Sequence, residues 1–204
     1  MNKKINISII GTRGYPYVYS GYETFVKQLS ERLVLKNCNV TVYCHKGLFE
    51  IRPKEIKGIK LVYIPTIETK ILSQPIHSFL SIIHACFSNT DVLLVVNSAN
   101  GPFGLLTKLF RIPTAINVDG LEWLRPKWIG LGSIYFKWAS KMATLFYDQI
   151  INDSEEMRKV YLNLFKRDSK VIAYGADIRK SKSPDLINKW NLKQREYYLV
   201  IGRL

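Results

Sequence analysis

The stretch ISIIGTRGYPYVYSGYETF, residues 7–25, decides the fold. Its apolar run ends at Gly11, a loop with three glycines (Gly11, Gly14 and Gly21) follows, and a helical pattern begins near Gly21. A strand, a glycine-bearing loop and a helix in this order form the first βα unit of a doubly wound sheet. Glycine lets a ligand approach the backbone, and the free N–H groups at a helix start favour an anion. The stretch therefore predicts a loop that faces a phosphate or a sugar; the alternative is a tight turn that only connects two packed elements.

Strands and helices alternate along the rest of the chain, which indicates an α/β fold with a doubly wound parallel sheet and helices on both faces. The polar, basic segment 45–60 is predicted to be a loop between the second and third strands. The further strands are predicted at 40–44, 59–64, 91–96, 114–118, 149–152 and 170–173. The principal helices are predicted at 23–35, 75–87 and 128–147, with one capped by Ser154.

The amino-acid composition limits the kinds of function that this protein can have. The 204 residues carry a net charge of +14, which indicates either an anionic partner or a charge that only keeps the protein soluble. Nucleic acid is not favoured as that partner, because neither an arginine-rich helix nor an aromatic sheet motif accompanies the charge. Three cysteines without CxxC spacing and three histidines without HExxH spacing predict structural residues, no metal site and a reducing cytoplasm. No apolar run reaches the roughly 18 residues of a membrane-spanning helix.

Polar residues follow two of the buried strands, where the loops of a parallel sheet meet at one edge. Asn97 and Asn100 follow one strand, and Asp119 and Glu122 follow the next. Asp119 is placed to accept a hydrogen bond from a substrate hydroxyl, or equally to form an Asx-turn with the following backbone. Glu122 could accept hydrogen bonds from a sugar, although a capping role is slightly favoured.

The predicted helix 128–147 interleaves aromatic side chains with lysines. This mixture suits the boundary between lipid headgroups and acyl chains on an anionic leaflet. We expect a membrane-surface contact through Trp128, Lys137, Trp138 and Lys141. The alternative is a helix that packs on the sheet and holds its lysines in water.

Five motifs together resemble the N-terminal half of a group of bacterial glycosyltransferases, and the resemblance extends over essentially the whole chain. They are GTRGYPYVYSGYETFVKQL, NVDGLEWLRPKW, INDSEEMRKVY, VIAYGAD and YYLVIGRL. The group comprises rhamnosyltransferase-like enzymes of capsule, exopolysaccharide and cell-wall polysaccharide assembly. Its members have a GT-B fold, with two Rossmann-like halves that face a cleft, and belong to retaining family four.

The resemblance also implies site residues. Gly14, Ser20, Gly21 and Tyr22 would belong to the loop that faces the donor phosphates and the reacting sugar, with Glu23 at the helix start. Asp119 would be the catalytic-site residue, at a position where many relatives carry a histidine that contacts the donor sugar. Asn97, Asn100 and Glu122 would complete the substrate site. The resemblance implies neither a metal nor a resident cofactor, and the nucleotide sugar, dTDP-rhamnose, is a substrate.

The same resemblance predicts three parts of the chain: an acceptor-binding domain (1–178), a linker (179–196) and the first strand of a nucleotide-sugar-binding domain (197–204). It implies transfer of a deoxyhexose, rhamnose, to a lipid-linked saccharide at the inner face of the cell membrane, by a cytoplasmic, peripheral protein. Because the donor-binding half is represented only by that strand, we expect this chain alone to be inactive. The alternative is a non-catalytic module that binds glycans or a membrane surface.

Overall fold

The computed structural model describes residues 3–16, 20–67, 69, 72–176, 178, 180 and 182–200. The chain divides into two compact units, one up to Tyr174 and one from Gly175 onward. The first unit contains the sheet and its helices, and therefore every residue of the predicted site.

The described residues of the first unit form eight strands in one sheet and five α-helices. The strands are β1 (Asn6–Ile10), β2 (Asn39–His45), β3 (Glu55–Ile56), β4 (Ile59–Ile64), β5 (Val92–Val96), β6 (Thr114–Val118), β7 (Gln149–Asn152) and β8 (Lys170–Val171). The α-helices are α1 (Gly21–Leu35), α2 (Ser73–Cys86), α3 (Gly104–Leu109), α4 (Leu131–Phe146) and α5 (Glu155–Phe165). Short 3₁₀ helices cover Lys46–Leu48, Ser98–Phe103 and Glu122–Leu124.

The sheet has the strand order β3-β4-β2-β1-β5-β6-β7-β8, and every pair except β3–β4 is parallel. Strands β1 to β4 form one half of the sheet and strands β5 to β8 form the other half. The order therefore reverses between β1 and β5, and ligands of open α/β sheets bind beyond the carboxyl ends of the strands at such a point. This architecture confirms the predicted doubly wound, Rossmann-like fold.

Each face of the sheet has its own hydrophobic core, because successive side chains of a strand point to opposite faces. Ile9 packs into the core that includes Val26 of α1, while the adjacent Ile10 packs into the core that includes Ile82 of α2 and Ala143 of α4. Helices thus cover both faces, which accounts for the unbroken apolar runs that the central strands show in sequence.

The structure of the first unit differs from the predicted elements at several places. The segment predicted as a loop contains β3, which forms a hairpin with β4 because Lys57 and Gly58 adopt positive φ angles of 52° and 76°. Helix α4 begins at Leu131 and not at residue 128, since Gly130 has a φ of 68° that interrupts the helix. Strand β8 ends at Val171, two residues earlier than predicted.

The second unit contains a 3₁₀ helix at Pro184–Trp190. Residues 197–200, the described part of the strand predicted at its end, belong to no strand, and Tyr198, Leu199 and Val200 are exposed; the assignment of 197–204 to a second domain stays a prediction. A strand requires a neighbour for its backbone hydrogen bonds, and these residues pair with none of the described strands. Residues 201–204 of that prediction lie outside the described residues.

Candidate functional site

The loop after β1 and the loop after β5 pack against each other where the strand order reverses. Gly11, at the end of β1, has a φ of 108°, and a side chain there would lie 2.3 Å from the backbone oxygen of Val96. The side-chain nitrogen of Asn100 donates to that same oxygen over 2.7 Å. Only glycine permits this close approach, so the sequence signal at Gly11 reflects packing of the two loops.

Gly14 is also required by packing. It has a φ of 127°, and a Cβ at this position would lie 2.8 Å from the Sγ atom of Cys44 on β2. Burial raises the pKa of the Cys44 thiol to about 11, so the sulfur is a neutral packing partner. The predicted contact of Gly14 with a substrate stays a prediction.

The first turn of α1 shows two different environments. Glu23 is 5% exposed, and its carboxylate accepts hydrogen bonds from the backbone N–H groups of Arg13 (3.2 Å) and Ser20 (2.9 Å) and from the Ser20 hydroxyl. Glu23 therefore holds the glycine loop to the positive end of the helix. Gly21 is exposed, with no atom within 4 Å of where a Cβ would be, so this turn is open to a ligand.

The Asp119 carboxylate connects three distant segments. The Tyr22 hydroxyl donates to its Oδ1 over 2.5 Å, and the Tyr174 hydroxyl lies 3.5 Å from its Oδ2. The single hydroxyl proton of Tyr174 is donated to the closer acceptor, the side-chain oxygen of Asn117 at 2.8 Å, and the Tyr174 ring packs on Phe25 with centroids 5.2 Å apart. Among the described residues, Asp119 forms no hydrogen bond to the backbone that follows it, so it is not held in an Asx-turn.

Burial is the main cause that raises the pKa of Asp119, while the hydrogen bond from Tyr22 and the charge of Arg125 oppose it. The neighbouring carboxylates of Asp153 and Glu122 raise this pKa further. Burial, followed by the Asp119 charge, raises the pKa of Tyr22 well above its ordinary value. Tyr22 is therefore a hydrogen-bond donor at neutral pH, and Asp119 can accept hydroxyl groups in its carboxylate form.

Tyr22→Phe is expected to raise the pKa of Asp119 further, because it removes a hydrogen bond that stabilises the carboxylate. An NMR titration of the side-chain carboxyl carbon would measure this pKa. Tyr174→Phe is the matched control, since that hydroxyl lies 3.5 Å from the carboxylate and should shift the pKa less. Equal shifts in the two variants, or a lower pKa in Tyr22→Phe, would contradict this account.

Glu122 is held by two side chains, and not by the capping contact that the sequence slightly favoured. It is 8% exposed, and its two oxygens pair with the indole nitrogen of Trp128 (3.0 Å) and with the guanidinium of Arg125 (3.0 Å). A side chain at Gly120 would lie 3.1 Å from that guanidinium, which places Arg125 over the backbone beside Asp119. A sugar contact by Glu122 stays a prediction and would have to displace one of these partners.

The two asparagines also have internal partners. Asn97 has a φ of 76°, and its side chain accepts a hydrogen bond from the backbone N–H of Ala99 over 2.9 Å. Asn100 is 1% exposed, so it lies beneath the loop surface, where its amide supports Val96. Asn97, which is half-buried, is the more accessible of the two for the predicted substrate contact.

Three residues of this site were missed by sequence reasoning: Asn117, Arg125 and Tyr174. Asn117 had a usable signal, because a polar residue in the apolar strand β6 needs a partner. Arg125 follows Glu122 by three residues, which fits its ion pair within one turn. Tyr174 carried no signal, since its contact with Asp119 depends on how β6 and β8 are placed in the sheet.

The predicted membrane residues differ in exposure. Lys137, Trp138 and Lys141 are exposed on α4. Trp128 is half-buried: its nitrogen donates to Glu122 and its ring packs on Phe136 with centroids 4.8 Å apart. Among the described residues, no helix is both long and apolar enough to cross a bilayer.

Solved structures with a similar fold are glycosyltransferases. A sucrose-phosphate synthase of Thermosynechococcus elongatus has a TM-score of 0.56 at 15% identity, over 84% of this chain and 90% of that one. UGT2 of Phytolacca americana has a TM-score of 0.55 at 10% identity, over 95% of this chain and 58% of that one. UGT89C1 of Arabidopsis thaliana has a TM-score of 0.52 at 13% identity, over 92% of this chain and 54% of that one. This chain thus spans somewhat more than half of each plant protein.

Identities this low show the fold alone, which is a Rossmann-like, GT-B glycosyltransferase-like fold. No curated protein matches the sequence. A family model described as a domain of unknown function, DUF1972, matches residues 4–177, and the chain therefore belongs to that family.

Proposed function

We propose that this chain is the acceptor-side half of a glycosyltransferase that moves a deoxyhexose from a nucleotide diphosphate sugar to a lipid-linked saccharide. The sugar is rhamnose, the donor is dTDP-rhamnose, and the product enters cell-surface polysaccharide such as capsule or exopolysaccharide. One observation carries the proposal: the Asp119 carboxylate accepts a hydrogen bond from Tyr22, with the Tyr174 hydroxyl 3.5 Å away, at the carboxyl edge of a GT-B-like sheet. The choice of rhamnose rests on the sequence motifs.

The arrangement around Asp119 suits a sugar. A carboxylate has about four lone-pair positions, and the Tyr22 hydroxyl occupies one of them. The remaining positions are available to sugar hydroxyls, while Phe25 and Tyr174 supply adjacent ring faces. Because Tyr22 already orients Asp119, the carboxylate loses little freedom when a sugar binds.

Transfer requires stabilisation of the departing diphosphate, which develops negative charge as the sugar bond breaks. In the proposed reaction the acceptor hydroxyl bonds to the anomeric carbon, and its proton passes to the leaving phosphate on the same face. The open first turn of α1 at Gly21 would contribute backbone N–H groups to that phosphate. The basic residues of the second half of a GT-B enzyme would supply the remaining stabilisation.

A lipid-linked acceptor requires the enzyme to work at a membrane surface. The exposed side chains of Lys137, Trp138 and Lys141 on α4 support attachment at the inner face of the membrane. The net charge of +14 adds attraction to its anionic lipids.

The test is transfer of rhamnose from dTDP-rhamnose to a lipid-linked saccharide, with this chain alone and with a co-expressed nucleotide-binding half. We expect transfer only with both halves. Asp119→Asn should then lower kcat/KM by roughly 10- to 100-fold, the effect of losing a hydrogen bond to a charged group. Asp185→Asn, which changes an exposed carboxylate of the second unit, is the matched control.

Transfer by the chain alone would contradict the need for a second half. Full activity of Asp119→Asn would remove Asp119 from the site. No transfer in either preparation, with binding to vesicles intact, would instead favour a non-catalytic module that binds the membrane or its glycans.

A further inference from the structure

The segment from Trp123 to Tyr147 has an unusual surface. It contains no acidic residue and four basic ones. Six of its large apolar side chains are exposed: Leu124, Ile129, Leu131, Ile134, Trp138 and Leu145. Single exposed apolar residues are ordinary, but a contiguous group of them marks a binding surface.

Three of the six, Ile134, Trp138 and Leu145, line one groove of about 540 Å³ between α4 and the end of α5. We call it the α4–α5 groove; its apolar lining is Ile134, Trp138, Leu145, Leu164 and Phe165, and its cations are Lys137, Lys141 and Lys166. Leu164 and Lys166 come from a second element, so the surface is larger than the helix that the sequence indicated. Lys166 ends α5 in the left-handed conformation, with a φ of 55°.

The groove is not an unfilled part of the core, because the opposite side of α4 is already packed. Phe136, Ala139 and Ala143 are buried. Tyr135 donates a hydrogen bond to the backbone oxygen of Ala99 over 2.8 Å, which fixes the helix against the 98–103 segment. Trp138 remains 48% exposed on a helix whose position is set by its other face.

The chemistry of the groove selects among possible partners. Lysines beside an apolar floor complement lipid phosphates above acyl chains. A nucleic acid would use the lysines but leave the apolar side chains in water, and the described lining of the groove contains no carboxylate for a basic protein. An anionic bilayer uses both features at once.

We infer that the α4–α5 groove docks on an anionic phospholipid bilayer, with Ile134 and Trp138 at the boundary between headgroups and acyl chains. Lys137, Lys141 and Lys166 then lie at the level of the lipid phosphates. Leu145 and Lys166 come shortly before the first residues of β7 and β8, so this part of the groove lies toward the amino ends of the strands, whereas Asp119 follows the carboxyl end of β6. The inference rests on the proposed function, because a lipid-linked acceptor is the reason for the enzyme to dock on a membrane. Vesicles that contain no saccharide nevertheless test the docking independently of sugar transfer.

The experiment is flotation with vesicles of phosphatidylglycerol and phosphatidylethanolamine, compared with vesicles of phosphatidylcholine. The full chain should float with the anionic vesicles and much less with the neutral ones. Each change of Lys137, Lys141 or Lys166 to Gln should lower the partition about fivefold, and Trp138→Ala about tenfold. Brominated phosphatidylglycerol should quench tryptophan fluorescence in the wild type and less in Trp138→Phe.

Matched controls separate this surface from the general positive charge. Lys54→Gln with Lys60→Gln removes two exposed lysines near the opposite edge of the sheet, and Trp190→Ala removes an exposed tryptophan of the second unit. These variants should float like the wild type. Any of three outcomes would overturn the inference. The control variants could lose as much vesicle binding as the groove variants, or the chain could bind neutral vesicles as well as anionic ones. Self-association of the chain, and not lipid, could also prove to be what covers Trp138. With the co-expressed nucleotide-binding half present, rhamnose transfer to a water-soluble acceptor should be unchanged in the groove variants, so a failure of docking is distinguishable from a failure of the proposed activity.

Discussion

Gly101→Ala is expected to lower the free energy of unfolding by at least about 3 kcal/mol, the upper range for overpacking in a rigid site. A Cβ at Gly101 would lie 1.9 Å from the backbone oxygen of Ala139 and 2.8 Å from the backbone nitrogen of Ala143. Both atoms belong to the backbone of α4, so no side-chain rotation can relieve the contact. Either α4 or the 98–103 segment would have to move away.

Denaturant unfolding of the two proteins would measure this difference, and Gly21→Ala is the matched control. A Cβ at Gly21 meets no atom within 4 Å, so this change should alter stability by less than about 0.5 kcal/mol or increase it slightly. If Gly101→Ala unfolded at the same denaturant concentration as Gly21→Ala, the close contact between the 98–103 segment and α4 would be refuted.

The same contact has a consequence for the site. The 98–103 segment is held from two sides: Tyr147 of α4 donates to the backbone oxygen of Asn100 over 3.0 Å, and Asn100 reaches Val96 beside Gly11. Displacement of this segment would therefore loosen the point where the strand order reverses. We expect Gly101→Ala to weaken substrate binding as well as stability.

The fold could be read from sequence because its signals are local. The apolar run 7–10 ending at Gly11 and the run at 92–96 ending at Asn97 each define a buried strand by themselves. Parallel strands joined by helices permit few topologies. The hairpin at Lys57 and Gly58 was missed because two residues of β3 are too few to give an alternating pattern.

The site could be predicted only in part. The positions of Tyr22 and Asp119 near one edge followed from the topology, but their hydrogen bond joins residues 97 apart in sequence. Such a pairing depends on the length and direction of side chains across the sheet edge, which composition and spacing do not encode. Glu23 and Glu122 have partners close in sequence, so their carboxylates satisfy local N–H groups, an indole N–H and a local guanidinium, while their substrate contacts stay predictions.

Mild acid is expected to destabilise the protein through His77. The rings of His77 on α2 and His45 at the end of β2 are stacked, with centroids 3.8 Å apart, and neither side chain is exposed. This burial agrees with the structural role predicted for these histidines. Burial, and secondarily the neighbouring His45, lowers the pKa of His77 from 6.5 to about 3.

Because the folded-state pKa is depressed below the unfolded-state value, the unfolded chain binds the proton first as the pH falls. Stability is therefore full above about pH 6.5 and decreases as the pH falls toward 3. From this group alone we expect a loss of about 4 kcal/mol between pH 7 and pH 3, at about 1.4 kcal/mol for each pH unit.

His77→Gln removes the titration while its amide can still face the Ser81 hydroxyl, which lies 3.5 Å from the His77 Nε2 atom. The variant should lose stability less steeply than the wild type between pH 6 and pH 4, as measured by denaturant unfolding at each pH. His84→Gln, which replaces the exposed imidazole of the same helix, is the matched control for the loss of a histidine. The informative quantity is the slope of stability against pH. Replacing a buried ring also changes the packing, but that change is the same at every pH and does not alter the slope. If His77→Gln kept the slope of the wild type, the buried imidazole would not be the group whose protonation unfolds the chain.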